Sequence, residues 1–192
     1  KEIKLEEFFV DLGLEADEVK AHVTIGDMVT MRRDFERFGD MVVSKALDDR
    51  LGVYVMLEAI KAAGRVKADV YPIVFPIATV QEEVGLRGAT TAAYGVKPDI
   101  AIALDTTISG DIPGIPSDAT VTKLRKGTAI KIFDSSQLPN RKLVKHLREI
   151  AEAHNIPFQL EVLPRGGTDA GAFQRAQEGV VTATISIPSR YV

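Results

Sequence analysis

A layered α/β fold with a mixed sheet, preceded by a small β-rich piece, is the architecture this sequence predicts. Three observations carry the prediction. From Asp48 onward, apolar runs of strand length alternate with segments of helical spacing. The run Asp99-Ile100-Ala101-Ile102-Ala103-Leu104 is apolar at nearly every position, the pattern of a strand buried on both faces. Residues 1–45 break the alternation with short strand-like runs and too few apolar residues for a full core.

Within that leading piece, Phe8 to Gly13 reads as a short strand and turn, and Glu15 to His22 as one or two helical turns. Gly26 to Met31 and Asp40 to Ser44 read as strands separated by a charged turn. In the larger piece, Val53, Met56, Leu57, Ile60 and Ala63 fall at helical spacing, with Gly64 as the stop. Val70 to Val80, rich in β-branched residues, predicts a strand, and Leu86 to Tyr94 a helix. Pro98 to Leu104 and Ala129 to Phe133 predict strands. Arg141 to His154 is an amphipathic helix with Leu143, Val144, Leu147, Ile150 and Ala151 on one side. Phe158 to Leu163, Asp169 to Gln177 and Val180 to Ile187 complete the pattern as strand, helix and strand.

Composition narrows the function classes. Lys and Arg number 24 against 27 Asp and Glu, and no basic tract is long enough to grip a phosphate backbone, so nucleic acid is not an expected partner. No cysteine occurs, so disulfides and thiolate chemistry are excluded and any metal must sit on oxygen and imidazole ligands. That absence suits the cytoplasm. The apolar stretch from Val70 to Val80 contains Pro72 and Pro76 and is only about half a membrane span, so no membrane role is expected. Lys1-Glu2-Ile3-Lys4 does not read as a signal peptide.

The informative feature is where acidic residues fall. Asp48-Asp49 lies between a strand and a helix, Glu82-Glu83 follows the run ending at Val80, and Asp105 follows the strand ending at Leu104. Ligands of open α/β sheets collect beyond the carboxyl ends of strands, so these groups can converge on one crevice. Converging carboxylates repel, and a divalent cation relieves the repulsion. Three acidic ligands suit a bridged pair of ions roughly 3.5–4 Å apart. Taken singly, each of these residues reads as a helix cap or a solvated loop residue. The histidines, His22, His146 and His154, are read as surface or helix-end residues. A further segment, Arg165-Gly166-Gly167-Thr168-Asp169-Ala170-Gly171, is either a tight strand-to-helix turn or a loop against substrate. It lacks the spacing of a phosphate loop.

Four motifs together, Lys45 to Gly52, Thr79 to Gly85, Ala103-Leu104-Asp105 and Gly166 to Ala170, resemble the tetrahedral (TET) dinuclear-metal aminopeptidases, members of which have also carried cellulase or endoglucanase labels. The resemblance covers nearly the whole chain. It implies a mixed-sheet α/β/α zinc-peptidase-like catalytic domain interrupted by a small β-rich domain that builds oligomers. Residues 1–45 would be the C-terminal part of that β-rich dimerisation domain, and residues 46–192 a catalytic domain incomplete at both ends. It implies two divalent ions, zinc or cobalt, with Asp48 similar to the bridging carboxylate and Glu83 and Asp105 similar to ligands of one ion each. Glu82 resembles the general base, Asp49 follows Asp48 through a cis peptide bond as a supporting residue, and Gly166, Gly167, Thr168 and Asp169 line the substrate pocket.

The same resemblance implies peptide substrates with a free N-terminus and homo-oligomers as large as dodecamers. The family's pattern also uses two histidine ligands, one from a segment before residue 1 and one after Ser189-Arg190-Tyr191-Val192, so this chain is expected to be a truncated or partial form of the enzyme. Two readings from other classes stay open: a glycoside hydrolase working through a carboxylate pair, and an inactive fragment or assembly module.

Overall fold

The computed structural model describes residues 4–67, 69 and 71–192, and the chain divides into two compact units, residues 1–45 and 46–192. In the first, helix α1 (Ala16–His22) starts with a capping box in which Glu15 and Glu18 bond each other's backbone N–H groups. Strands β1 (Glu36–Phe38) and β2 (Met41–Val43) form an antiparallel hairpin. The helix and the second strand stand where the sequence puts them. The segments 8–12 and 26–31, read above as strands, are not strands, and the partner of Met41–Val43 lies in the stretch read as a charged turn. An alternation of one or two apolar residues does not fix a strand without a ladder to join. No described residue of this unit is buried.

The second unit is the layered α/β domain. Helix α2 (Leu47–Ala63) and helix α3 (Arg87–Val96) precede β3 (Ile100–Ile108), and then come β4 (Thr128–Asp134), α4 (Arg141–Ala153), β5 (Phe158–Leu163), α5 (Asp169–Gln174) and β6 (Val181–Ser189). The four strands are ordered β3-β6-β4-β5. The sheet is mixed: β3 and β6 are parallel, β4 and β5 are parallel, and β4 meets β6 antiparallel. Asn140 caps α4, its side chain accepting from the N–H groups of Lys142 and Leu143.

Two expectations fail here. Residues 71–80 form no strand among the described residues, and Val70 lies outside them. Pro72 and Pro76 supply no N–H to a ladder, and no described strand pairs with this segment. Strand β3 is also not buried on both faces, since Ile100 and Ile102 stay 55% and 46% exposed.

Register decides which side chains share a face. Asp105 pairs with Ser186, Ser186 with Ala129, and Lys131 with Glu161. Side chains alternate along a strand, so Asp105, Thr107, Thr184, Ser186, Lys131 and Glu161 all face the same side. Near the β3 edge, Ala89 and Ala93 of α3 pack against Ala172 and Phe173 of α5, with Ile77 and Ala101 against them. The small residues let the two helices approach closely.

Candidate metal centre

The site assembles from four segments. The first is the entry to α2. Asp48 and Asp49 are joined by a cis peptide bond and depart from helical geometry, so the regular helix begins after them. Asp49 Oδ1 accepts from the Gly52 N–H at 2.9 Å, the bond an N-cap side chain makes. Gly52 is buried, and a Cβ there would overlap the Asp49 carboxylate, so only glycine leaves the room Asp49 occupies.

The second segment is the turn into α3. Gln81 takes a left-handed conformation, and the N–H groups of Gly85 and Leu86 bond the Glu82 carbonyl. Gly88 donates to the Val80 carbonyl at 2.9 Å, and a Cβ on it would strike the Val80 backbone, which ties the turn to the helix start. Glu82 is half-buried and Glu83 exposed. The third is β3, where Asp105 takes the Thr106 N–H at 2.7 Å. The fourth is the start of α5, where Asp169 Oδ2 accepts from the Thr79 hydroxyl at 2.5 Å while its Oδ1 is buried with no hydrogen-bond partner.

These carboxylates press on one another. Burial, reinforced by Asp49, Glu82 and Asp48, pushes the Asp105 carboxyl up to about 8. Burial together with Asp169, Glu83, Asp48 and Asp49 pushes Glu82 up to about 7. Asp49 is raised to about 6 by burial and by Asp48, Asp169 and Glu83, against the lowering effect of the Gly52 N–H. Asp169 is raised by burial, with the Thr79 hydroxyl opposing. One oxygen from each of Asp48, Asp49 and Asp105 lies within 4.8 Å of the others. Hard oxygen donors at that spacing, with raised proton affinity and a buried orphan oxygen nearby, fit a divalent cation.

The structure therefore brings together Asp48, Glu82, Glu83 and Asp105, but not at strand ends as read above: Asp105 lies inside β3, which runs on to Ile108, and residues 71–80 before Glu82-Glu83 form no strand. It adds Asp49 to the close group and places Asp169, read above as a pocket residue, among the charges that raise Glu82 and Asp49. Gly166, Gly167 and Thr168 form the approach to Asp169, with Gly166 at φ +96 and Gly167 leaving no room for a Cβ beside Ser136. None of the three histidines is part of the close group; all are exposed, His22 in the first unit and His146 and His154 on and at the end of α4.

All of residues 1–192 match the M42 glutamyl aminopeptidase family. The chain belongs to that family. The lysyl aminopeptidase of Pyrococcus furiosus is 37% identical over 199 residues, covering 99% of this chain and 54% of its own length. An aminopeptidase structure from the archaeon Desulfurococcus kamchatkensis superposes with a TM-score of 0.92 at 42% identity, across 100% of this chain and 54% of that one. The Pyrococcus horikoshii TET1 peptidase, which can assemble into a tetrahedron or a large octahedral shell, matches at a TM-score of 0.74 and 32% identity over 95% of this chain and 52% of that one. The M42 chain described here spans about half the length of the curated relatives it matches. No helix among its described residues is long and apolar enough to cross a membrane.

Proposed function

We propose that this chain carries the catalytic carboxylates of a metal-dependent aminopeptidase that removes N-terminal residues from peptides. The observation that supports it best is the convergence of these carboxylates, with Asp48, Asp49 and Asp105 at coordination spacing and Asp49, Glu82, Asp105 and Asp169 raised in proton affinity. Asp48, Glu83 and Asp105 would hold two divalent ions, zinc or cobalt, with Asp49 supporting Asp48. When bound, such ions polarise the scissile carbonyl and lower the pKa of a nearby water. Glu82, raised to about 7 by burial and by Asp169 and Glu83, can exchange a proton near neutral pH. Glu82 then takes the proton of the attacking water and returns it to the departing amine. The excess of negative charge at the site favours a substrate bearing a free ammonium group, which is the reason to read an aminopeptidase rather than an endopeptidase. Gly166 and Gly167 line the approach, whereas Thr168, read above as a pocket residue, is buried with its hydroxyl against Gln137 and Thr184.

The reading extends to the rest of the molecule. Residues 1–45 are the end of a β-rich dimerisation domain and residues 46–192 a catalytic domain. Exposed Phe9, Ile25, Met28 and Met31, in a unit with no buried residue among those described, support assembly into homo-oligomers, up to dodecamers. The assembled enzyme works in the cytoplasm.

The test is a panel of aminoacyl-p-nitroanilides including Glu and Lys, with N-acetylated controls, on the protein at its full encoded length. Each is run after chelation and again with zinc or cobalt restored. Metal-restored cleavage of the free-amine substrates alone is expected. Cleavage of none of them by metal-loaded protein overturns the reading and moves the search to blocked peptides and sugars. Glu82→Gln should lower kcat by about 10²–10⁴-fold with the metal still bound; near-full turnover in that variant would show the base assignment to be wrong.

A further inference from the structure

The face of the sheet that carries Asp105 holds a second charged group that the proposed reaction does not use. Lys131 on β4 and Glu161 on β5 are 0% exposed, and Asp134 is 1% exposed. Lys131 Nζ lies 2.7 Å from Glu161 Oε1 and 3.7 Å from Asp134 Oδ2, both as charge contacts rather than aligned hydrogen bonds. Among the buried described residues Lys131 is the one cation. A buried ion group of this kind often adds no more stability than apolar side chains of the same volume, so stability alone does not account for it.

Two arms run from it. On one side, the Thr107 hydroxyl donates to Glu161 Oε1 at 2.5 Å, and Thr107 stands two residues beyond Asp105 on the same face of β3. On the other, Asp134 Oδ1 accepts from the Ser136 N–H, the Ser136 hydroxyl and the Gln137 N–H at 2.7, 2.7 and 2.9 Å. The Gln137 amide contacts Asp134 Oδ2, Thr168 Oγ1 and Thr184 Oγ1 at 3.1, 3.0 and 2.5 Å. The Thr168 N–H donates to Ser136 Oγ at 3.3 Å, and Gly171 has no Cβ to displace that hydroxyl. Thr168 is 1% exposed and immediately precedes Asp169. Each arm thus ends within two residues of a carboxylate of the acidic site.

We propose that Lys131, Glu161, Asp134 and Gln137 are positioning residues that hold Asp105, a ligand of the cation, and Asp169 beside it in place. The proposal rests on reading the acidic site as a metal centre. Lys131 draws Glu161 and Asp134 together, and the two arms transmit their placement. Without the ammonium, two buried carboxylates face each other unpaired and both arms shift, while functional sites tolerate only about 0.5 Å of looseness.

The experiment is zinc affinity by competition with a chromogenic chelator on the protein at its full encoded length, read beside the melting temperature. Lys131→Met removes the charge and Thr107→Val removes the hydroxyl while keeping its shape. Val144→Ala, in the buried face of α4, is the control for general destabilisation. Lys131→Met is expected to weaken zinc binding about 10–100-fold and Thr107→Val toward the lower end of that range. Val144→Ala should lower the melting temperature and leave affinity unchanged. If Lys131→Met does not fold, Thr107→Val carries the test. Folded Lys131→Met or Thr107→Val with wild-type affinity overturns the proposal, and so does an equal loss of affinity in Val144→Ala at an equal loss of melting temperature. A wild type that binds no zinc overturns the metal-centre reading and this proposal with it. One that binds zinc and cleaves no peptide overturns only the aminopeptidase reading.

Discussion

The acidic site and the Lys131 group lie on one face of the same sheet, yet they meet carboxylate repulsion in opposite ways. Around Lys131 the chain supplies its own cation, and Glu161 and Asp134 are buried against it. Around Asp105 the described residues bring carboxylates together that are only partly buried and raise one another's proton affinity. The difference teaches that burial of negative charge is not what marks a functional site. Carboxylates that raise one another's proton affinity at coordination spacing are the better mark.

Removing a charge should therefore act with opposite sign in the two regions. Lys131→Met strands two buried carboxylates and is expected to cost about 3–5 kcal/mol, measured by denaturant unfolding; a cost under about 1 kcal/mol would put the two regions on the same footing. The next largest effect is on pH dependence. Below about pH 4 Asp49, Glu82 and Asp105 are largely protonated in both folded and unfolded chains. As pH rises, the unfolded chain ionises first, while folded Asp49, Glu82 and Asp105 hold their protons until about 6, 7 and 8. The folded state then binds more protons than the unfolded one, so the chelated protein loses stability from about pH 4 to 8. Zinc-loaded protein should lack that decline, and parallel melting curves for the two forms would contradict the account.

A smaller effect, of reversed sign, is expected of Asp105→Asn. Above pH 8, where Asp105 is ionised, the substitution should stabilise the chelated protein, yet it should weaken zinc binding at any pH. Smallest is Asn140→Ala, which removes the cap of α4 and should cost about 1 kcal/mol without changing zinc affinity. A change in affinity there would mean that α4 feeds the site and that the two regions are not the only ones coupled to it.

What could be read from the sequence was whatever depends on local pattern. Phe158–Leu163 and the helix from Arg141 stand as their spacing predicts, because an alternating or amphipathic run carries its own instruction. Asp48, Glu82, Glu83 and Asp105 were legible as acids placed at the ends of strand-like runs. The segment 71–80 was misread because β-branched composition states a preference and a ladder requires a partner. The Lys131 group was missed for the complementary reason. In Ala129-Ile130-Lys131-Ile132 the lysine reads as the solvent side of a strand, and only its register opposite Glu161 shows that both faces are covered. A lysine and a glutamate at matching positions of neighbouring strands is the one signal that would have found it. Asp169 was undervalued because a residue at the start of a helix is ordinarily a cap, and its role depends on Thr79, far away in sequence.

The central claim is that the acidic site is built for cations, and the most direct test counts the protons a cation displaces. Chelator-treated protein at its full encoded length would be titrated calorimetrically with zinc at pH 7, in two buffers of different ionisation enthalpy. Asp105 near 8 and Glu82 near 7 hold protons at that pH, so binding should release about one proton or more. Zinc binding with no proton release, or no binding at all, would contradict the account.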